Sequence, residues 1–243
     1  MQKIILIIID FFDYFHKKKI LNFLKKNNFY EFDVFFDIGA HKGETIDLFT
    51  KNFNINNIYS FEASPINFEI LKKNVSNCKA KNITLENIAI GSTSETVSLK
   101  QVQESSSSTL SNINLNSKYF KKKEKLLNFF SKKKYYQDIN VELKTLYEYL
   151  NLKLIKKIDF LKIDTEGYEF QVLLGLRNKL QNVKIVLFEH HYDDMLDKGY
   201  TFADINKLLI QYNFKQIYKT KMPFRKTFEY IYINKNFTNY VGE

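Results

Sequence analysis

Two carboxylates separated by a glycine turn are the first residues whose types and spacing suggest chemistry. The segment Phe36-Asp37-Ile38-Gly39-Ala40-His41-Lys42-Gly43-Glu44-Thr45 reads as a strand that ends in a tight turn and passes into a helix. Gly39 and Gly43 allow a close backbone turn where a Cβ would interfere. Glu62 follows 19 positions after Gly43 at the end of the next apolar run. That is close to the spacing of about 20 at which an acidic residue receives ribose hydroxyls in nucleotide-binding α/β folds.

The turn lacks the G-x-G-x-x-G pattern that brings a helix N-terminus onto a pyrophosphate, and Asp37 would repel one. A carboxylate there suits a ligand with a cationic amino group and no phosphates. S-adenosylmethionine fits that description, and a dinucleotide does not. A second cluster lies downstream, where Asp164 ends another apolar run, Glu166 and Glu169 follow, and His190 and His191 close the next. Asp164, Glu166, His190 and His191 are the candidates for a general base, since an imidazole with an ordinary pKa near 6.5 can take a proton around neutrality. With Glu189 these residues would also make a mixed oxygen and nitrogen set for a metal, but their spacing does not demand one and none is expected.

These groups must be positioned by an alternation of short β-rich runs and helical periodicity, the pattern of a parallel sheet with crossover helices. Strands are expected at Val34–Ile38, Ile58–Glu62, Ile83–Ile90, Thr96–Val102, Val141–Leu143, Asp159–Asp164, Lys184–His190, Phe214–Tyr218 and Phe228–Ile233. Ser64-Pro65 supplies an N-cap followed by proline at the first helical position. Tyr168–Leu180 reads as a helix with Phe170, Leu173 and Leu174 inward, and Thr201 with Asp204 as a capping box. Ser105–Leu110 reads as a lid, and the basic segment from Lys118 to Tyr136 as an insertion forming an acceptor wall.

The chain has 243 residues, 44% of them hydrophobic and 26% charged, enough for one α/β domain with a packed core and unlike a disordered composition. The net charge of +10 is spread along the chain, so a nucleic-acid partner is disfavoured. The dense lysines of the insertion leave peripheral membrane contact open, and a noncatalytic module for anionic ligands or nucleic acid is the alternative reading. Cys78 is the only cysteine, which excludes an internal disulfide and fits a reducing cytoplasm. Met1–Asn28 reads as one or two helices packed on the domain in preference to a membrane-surface helix. Asp10 and Asp13 interrupt its apolar run well short of the roughly 20 residues needed to cross a bilayer.

The sequence resembles the FkbM family of class I methyltransferases. The similar segments are Phe36–Thr45, Ser60–Pro65, Asn87–Gly91, Ser107–Leu110 and, most specific, Lys162–Glu169. The resemblance implies a Rossmann-like doubly wound seven-strand sheet with its last strand antiparallel, here behind an N-terminal helical extension over 1–30, with the methyltransferase domain over 31–243. It implies S-adenosylmethionine as methyl donor and a hydroxyl acceptor on a small molecule or glycan. By the same resemblance Asp37, Gly39 and Ala40 would line the methionine part of the cofactor, Glu62 the ribose, and Asn87, Ile88 and Ala89 the adenine, with Gly43 completing the cofactor-binding turn.

Overall fold

The computed structural model describes residues 2–76, 78, 81–102, 108–121 and 136–237, with the backbone alone for 2–11. Helix α1 (Gln2–Lys26) leads into β1 (Glu31–Ile38), α2 (Glu44–Thr50), β2 (Asn54–Phe61), α3 (Pro65–Val75) and β3 (Asn82–Glu86). Then come β4 (Ala89–Gly91), β5 (Glu95–Val102), β6 (Asn112–Ile113), β7 (Tyr136–Thr145), α4 (Leu146–Leu152) and β8 (Ile158–Ile163). The chain closes with α5 (Glu169–Leu174), β9 (Val183–His191), β10 (Leu196–Asp197), α6 (Phe202–Gln211), β11 (Phe214–Lys221) and β12 (Thr227–Asn234).

Seven strands form the main sheet in the order β11-β12-β9-β8-β1-β2-β3. The pairs β2/β3, β1/β2, β1/β8 and β8/β9 are parallel, whereas β12 runs antiparallel to both of its neighbours. The reversed strand is the last in sequence, as the resemblance implies. Every residue of β8 is buried, because helices cover both faces of a parallel sheet and leave its central strands no solvated side.

Alternation along the strands divides the core into two layers. Phe35, Phe160 and Leu187 point towards Leu24 of α1, Phe49 of α2 and Leu71 of α3, and the rings of Phe35 and Phe160 stack 5.2 Å apart. Phe36, Leu161 and Phe188 point the other way, towards Leu146 of α4, Val172 of α5 and Ile205 of α6. The N-terminal extension is one helix, with Ile20, Leu21 and Leu24 buried in the first of these layers. Among the described residues no helix is long and apolar enough to cross a membrane.

The caps form as expected. Ser64 Oγ accepts from the Asn67 amide with Pro65 at the start of α3, and Thr201 and Asp204 make a reciprocal capping box on α6.

Three elements depart from expectation. The run Ile83–Ile90 is two strands, because Asn87 Nδ2 donates to the carbonyls of Glu62 and Ala63 and turns the chain out of the main sheet. β4 instead pairs with β7 in a separate sheet of order β4-β7-β5, which makes β7 far longer than the expected Val141–Leu143. The helix after β8 stops at Gly175 and continues as a 3₁₀ turn, Arg177–Asn182. Val172 and Leu173 are buried and Phe170 packs partly buried against the same core, while Leu174 is exposed. Residues 122–135 of the basic insertion and 105–107 of the expected lid lie outside the described residues.

Gly175, the C-cap of α5, lies against the backbone of β4, where a Cβ would stand 1.9 Å from the Gly91 carbonyl oxygen. Gly175→Ala should therefore cost about 2 kcal/mol or more by forcing α5 off β4. Urea denaturation of the variant measures this, and an unchanged midpoint would show that the contact yields freely.

Candidate active site

The expected site residues converge on the carboxyl edge of the main sheet. Asp37 ends β1 in register with Lys162 of β8 on one side and Ser60 of β2 on the other. Beyond it Gly39 turns with φ +78°, and a Cβ there would lie 1.9 Å from the Asp164 carbonyl oxygen. Only glycine lets the turn pack against the end of β8.

The turn spends its own amides on β2. Gly39 N and Ala40 N both donate to the Phe61 carbonyl at 2.9 and 3.0 Å, and His41 N donates to Glu62 Oε2 at 2.7 Å. The other Glu62 oxygen accepts from Ser64 N at 2.8 Å. Glu62 is thus buried as a clamp between the turn and the start of α3, with the Asn67 side chain hydrogen-bonded to it as well. Three successive amides that would cradle a phosphate are already engaged. Gly43, at φ +92°, sits over α3, where a Cβ would come within 3.0 Å of Leu71 and Val75.

Asp37 is fully buried, and neither of its oxygens has a directed hydrogen bond among the described residues. Its charge is balanced by Lys162 Nζ, 3.3 Å from Asp37 Oδ1 and 3.2 Å from Asp164 Oδ2, which also donates to the Gly39 carbonyl at 3.3 Å. Burial raises the Asp37 carboxyl above the usual carboxylate range, with Lys162 working against it. Burial disfavours the Lys162 ammonium too, but Asp164 and Asp37 outweigh it and keep the group charged. Asp164 feels burial as well, yet Lys162 holds its carboxyl below the ordinary range. Its side chain is one-third exposed, so a charged carboxylate faces the edge.

Strand parity separates the two histidines. His191 shares a face with Glu189, Lys162 and Asp37, and its Nε2 lies 3.1 Å from Glu189 Oε1 and 3.3 Å from Glu166 Oε2. Nδ1 meets Thr227 Oγ1 at 3.2 Å and Asp193 at 3.7 Å. Burial opposes its charge, but Glu166, Asp193 and Glu189 raise its pKa well above the ordinary imidazole value, which favours the charged form. Burial and the nearby Asp164 push the Glu189 carboxyl up to about 8. His190 points to the other face among Tyr192, Tyr200 and Phe202, where burial lowers it to about 3. It is not brought to the site.

Glu169 is also spent elsewhere. Its buried carboxylate accepts from Thr165 N, Thr165 Oγ1, Gly167 N and Tyr200 OH, and so shapes the turn after β8. Thr109 Oγ1 and Ser111 Oγ donate to the carbonyls of Glu166 and Gly167 and pin that turn from outside. Asn87 is occupied with the β2 end, and Ile88 and Ala89 are buried beside it. Lys162, Asp193 and Thr227 are the residues that sequence reasoning did not single out for the site. The alternation of β8 could have found Lys162, but Asp193 and Thr227 depend on the pairing of β12 with β9. A surface depression of about 1150 Å³ lies at the opposite, amino edge beside Asp33 and Lys157, away from this chemistry.

The Methyltransferase FkbM domain model matches residues 37–216. No curated protein sequence matches the chain. Among solved structures, a methyltransferase FkbM from Methylobacillus flagellatus KT is 14% identical with a TM-score of 0.51, and the match covers 83% of this chain and 43% of that one. The chain therefore spans less than half the length of that protein. Magnesium protoporphyrin IX methyltransferase from Synechocystis PCC 6803 with bound SAH is 8% identical, with a TM-score of 0.52 and coverage of 93% and 84%. TrmK from M. capricolum in complex with S-adenosyl-homocysteine is 14% identical, with a TM-score of 0.50 and coverage of 89% and 67%. At these identities the likeness is one of fold.

Two outcomes follow from the charges. Lys162→Met leaves Asp37 buried without a counter-ion and should cost about 3–5 kcal/mol, with Asp37→Asn added to it restoring part of the loss. Chemical denaturation of the single and double variants tests the coupling, and additive losses would refute it. Second, Glu189 in the folded chain keeps a proton up to about pH 8 that the unfolded chain releases near its ordinary value, so stability falls as pH rises through that window. His191 acts in the same sense, its contribution being complete below 6.5 and lost as pH climbs through its raised value. Glu189→Gln should flatten the decline in denaturation midpoint between about pH 5 and pH 8; an unaltered slope would count against a protonated Glu189.

Proposed function

The chain belongs to the methyltransferase FkbM family, and from that premise we propose that it transfers a methyl group from S-adenosylmethionine to a hydroxyl of a saccharide, glycoconjugate or other polar metabolite. The observation that carries the cofactor reading is the state of the glycine turn. Its amides at 39, 40 and 41 are bound to β2, which leaves nothing to cradle a phosphate, while Asp37 presents a buried carboxylate with lone pairs for an ammonium. That is an acceptor for the ammonium of an amino acid moiety. Two relatives of the same fold hold S-adenosylhomocysteine, which supports it.

In this reading Asp37 binds the amino group of the methionine part, beside the backbone of Gly39 and Ala40, with Gly43 shaping the turn. Glu62 turns to the ribose hydroxyls, and Asn87, Ile88 and Ala89 border the adenine. When bound, S-adenosylmethionine supplies a methyl group on a sulfonium that is already a good leaving group. The protein's task is then to hold the acceptor oxygen in line and to receive its proton. Asp164 is anionic and exposed at the edge, and Glu166 lies beside it in contact with His191. We assign proton acceptance to these two carboxylates, with His191 as the cation that holds Glu166 in place. The same two carboxylates, Asp164 and Glu166, disfavour a polyanionic acceptor, which weighs against the nucleic-acid reading.

Calorimetry with S-adenosylmethionine is the direct test. The native chain should bind it and not a dinucleotide, and Asp37→Asn should weaken binding about 10- to 100-fold through loss of one charge-assisted hydrogen bond. Absence of binding by a folded native chain would overturn the cofactor reading, and so would equal affinity in the variant.

A further inference from the structure

We infer that Lys17 of α1 binds the carboxylate of the cofactor's amino acid moiety, whose ammonium goes to Asp37. The inference rests on the S-adenosylmethionine reading above and adds a residue to it. The glycine turn creates the need, because its own amides are all engaged. Those of Gly39 and Ala40 go to the Phe61 carbonyl and that of His41 to Glu62. Lys42 N donates to Glu44 Oε2 at 3.1 Å and Gly43 N to the Ala40 carbonyl at 2.9 Å. The turn therefore offers no amide to a carboxylate that arrives beside Asp37. Lys162 cannot answer it either, since an ammonium has three donors and its three are directed at Asp37, Asp164 and the Gly39 carbonyl. Asp37, Asp164 and Glu44 already stand at this edge, and a fourth carboxylate requires a further cation.

Lys17 is placed to supply it. α1 runs antiparallel to β1, and its last turns lie near the amino edge, where Lys25 Nζ donates to Asn52 Oδ1. Its middle is tied to the opposite edge: His16 Nε2 lies 2.5 Å from Glu229 Oε2, and Arg225 Nη2 lies 2.8 Å from Asp13 Oδ2. Arg225 precedes β12, which starts opposite His191 at the carboxyl end of β9. Ile20, Leu21 and Leu24 pack in the core layer with Phe35 and Phe160. At about 100° per residue Lys17 shares their face, one turn nearer the carboxyl edge. It is half-buried, whereas Lys18 and Lys19 point to solvent. Desolvation works against the Glu44 charge, but His41, the Glu44 amide and Lys17 hold the carboxyl below the ordinary range. Desolvation works against Asp164 too, where Lys162 and then Lys17 lower it. One ammonium thus acts on both sides of the turn, at the start of α2 and at the end of β8.

A fixed ion pair with Glu44 or Asp164 is the competing role, but among the described residues no ion pair or hydrogen bond occupies the Lys17 ammonium. A cation held near two carboxylates without a directed partner suits a third that arrives with the ligand. Residue 17 precedes the span 37–216 matched by the family model, so the N-terminal helix completes the cofactor site as well as covering the core.

The test is calorimetry of the full chain with S-adenosylmethionine and with decarboxylated S-adenosylmethionine, which keeps the amine, sulfonium, ribose and adenine. Lys17→Met, or Lys17→Gln should the first variant not fold, should bind S-adenosylmethionine about 10- to 100-fold more weakly, the worth of one charge-assisted hydrogen bond. Its affinity for the decarboxylated form should not fall, because that ligand has no carboxylate to lose, and Lys17→Arg should recover most of the binding of S-adenosylmethionine. Equal weakening of both ligands would reduce Lys17 to a structural ion pair and overturn the inference, as would undiminished binding of S-adenosylmethionine. Either result leaves the cofactor reading standing, whereas a folded native chain that binds neither ligand would overturn that reading and this inference with it.

Discussion

The ammonium of Lys162 between Asp37 and Asp164 is the interaction on which the carboxyl edge depends. It is a full charge inside a parallel sheet, where desolvation alone would expel it, and it is retained because two carboxylates and a backbone carbonyl surround it. Asp37 can stay charged in a fully buried position only while that cation is present. Asp164 draws on the same cation and reaches solvent on the other side. A single residue thereby sets the ionisation of the buried carboxylate and of the exposed one.

Around this pair the two halves of the edge are built differently. The β1–β2 half is closed by backbone: three amides of the turn and one of α3 converge on Phe61 and Glu62, leaving little freedom. The β8–β9 half is closed by side chains, with Glu169 inside the turn, Thr109 and Ser111 outside it, and His191 gathering the remaining carboxylates. A half built from backbone beside a half built from side chains suits a fold that keeps one chemistry and varies its substrate.

Much of the first half was legible in the sequence because it is local. The strand, turn and helix around Asp37, the strand-end Glu62 and the Ser64-Pro65 cap all follow from residues adjacent in the chain. What was hidden is non-local. Whether His190 or His191 faces the site is a matter of parity, and parity becomes meaningful only once β9 is paired between β8 and β12. Glu169 looked like a site residue by its place after Asp164, yet its lone pairs go to the amides of its own turn and to Tyr200. The departure of β4 from the main sheet rests on Asn87 reaching back to the end of β2, and Gly175 lies against a strand some 80 residues earlier.

The contact between Lys162 and Gly39 joins positions 123 residues apart. A chain still emerging from the ribosome makes β1, its glycine turn and β2 long before β8 exists, and through that interval Asp37 has no counter-ion and Gly39 has no Asp164 carbonyl to rest against. The central strand position of the sheet stays empty until more than half of the polypeptide has been made. The amino-terminal portion therefore lacks its counter-ion and its packing partner until β8 docks beside β1, and β9 and β12 can join the sheet only after it.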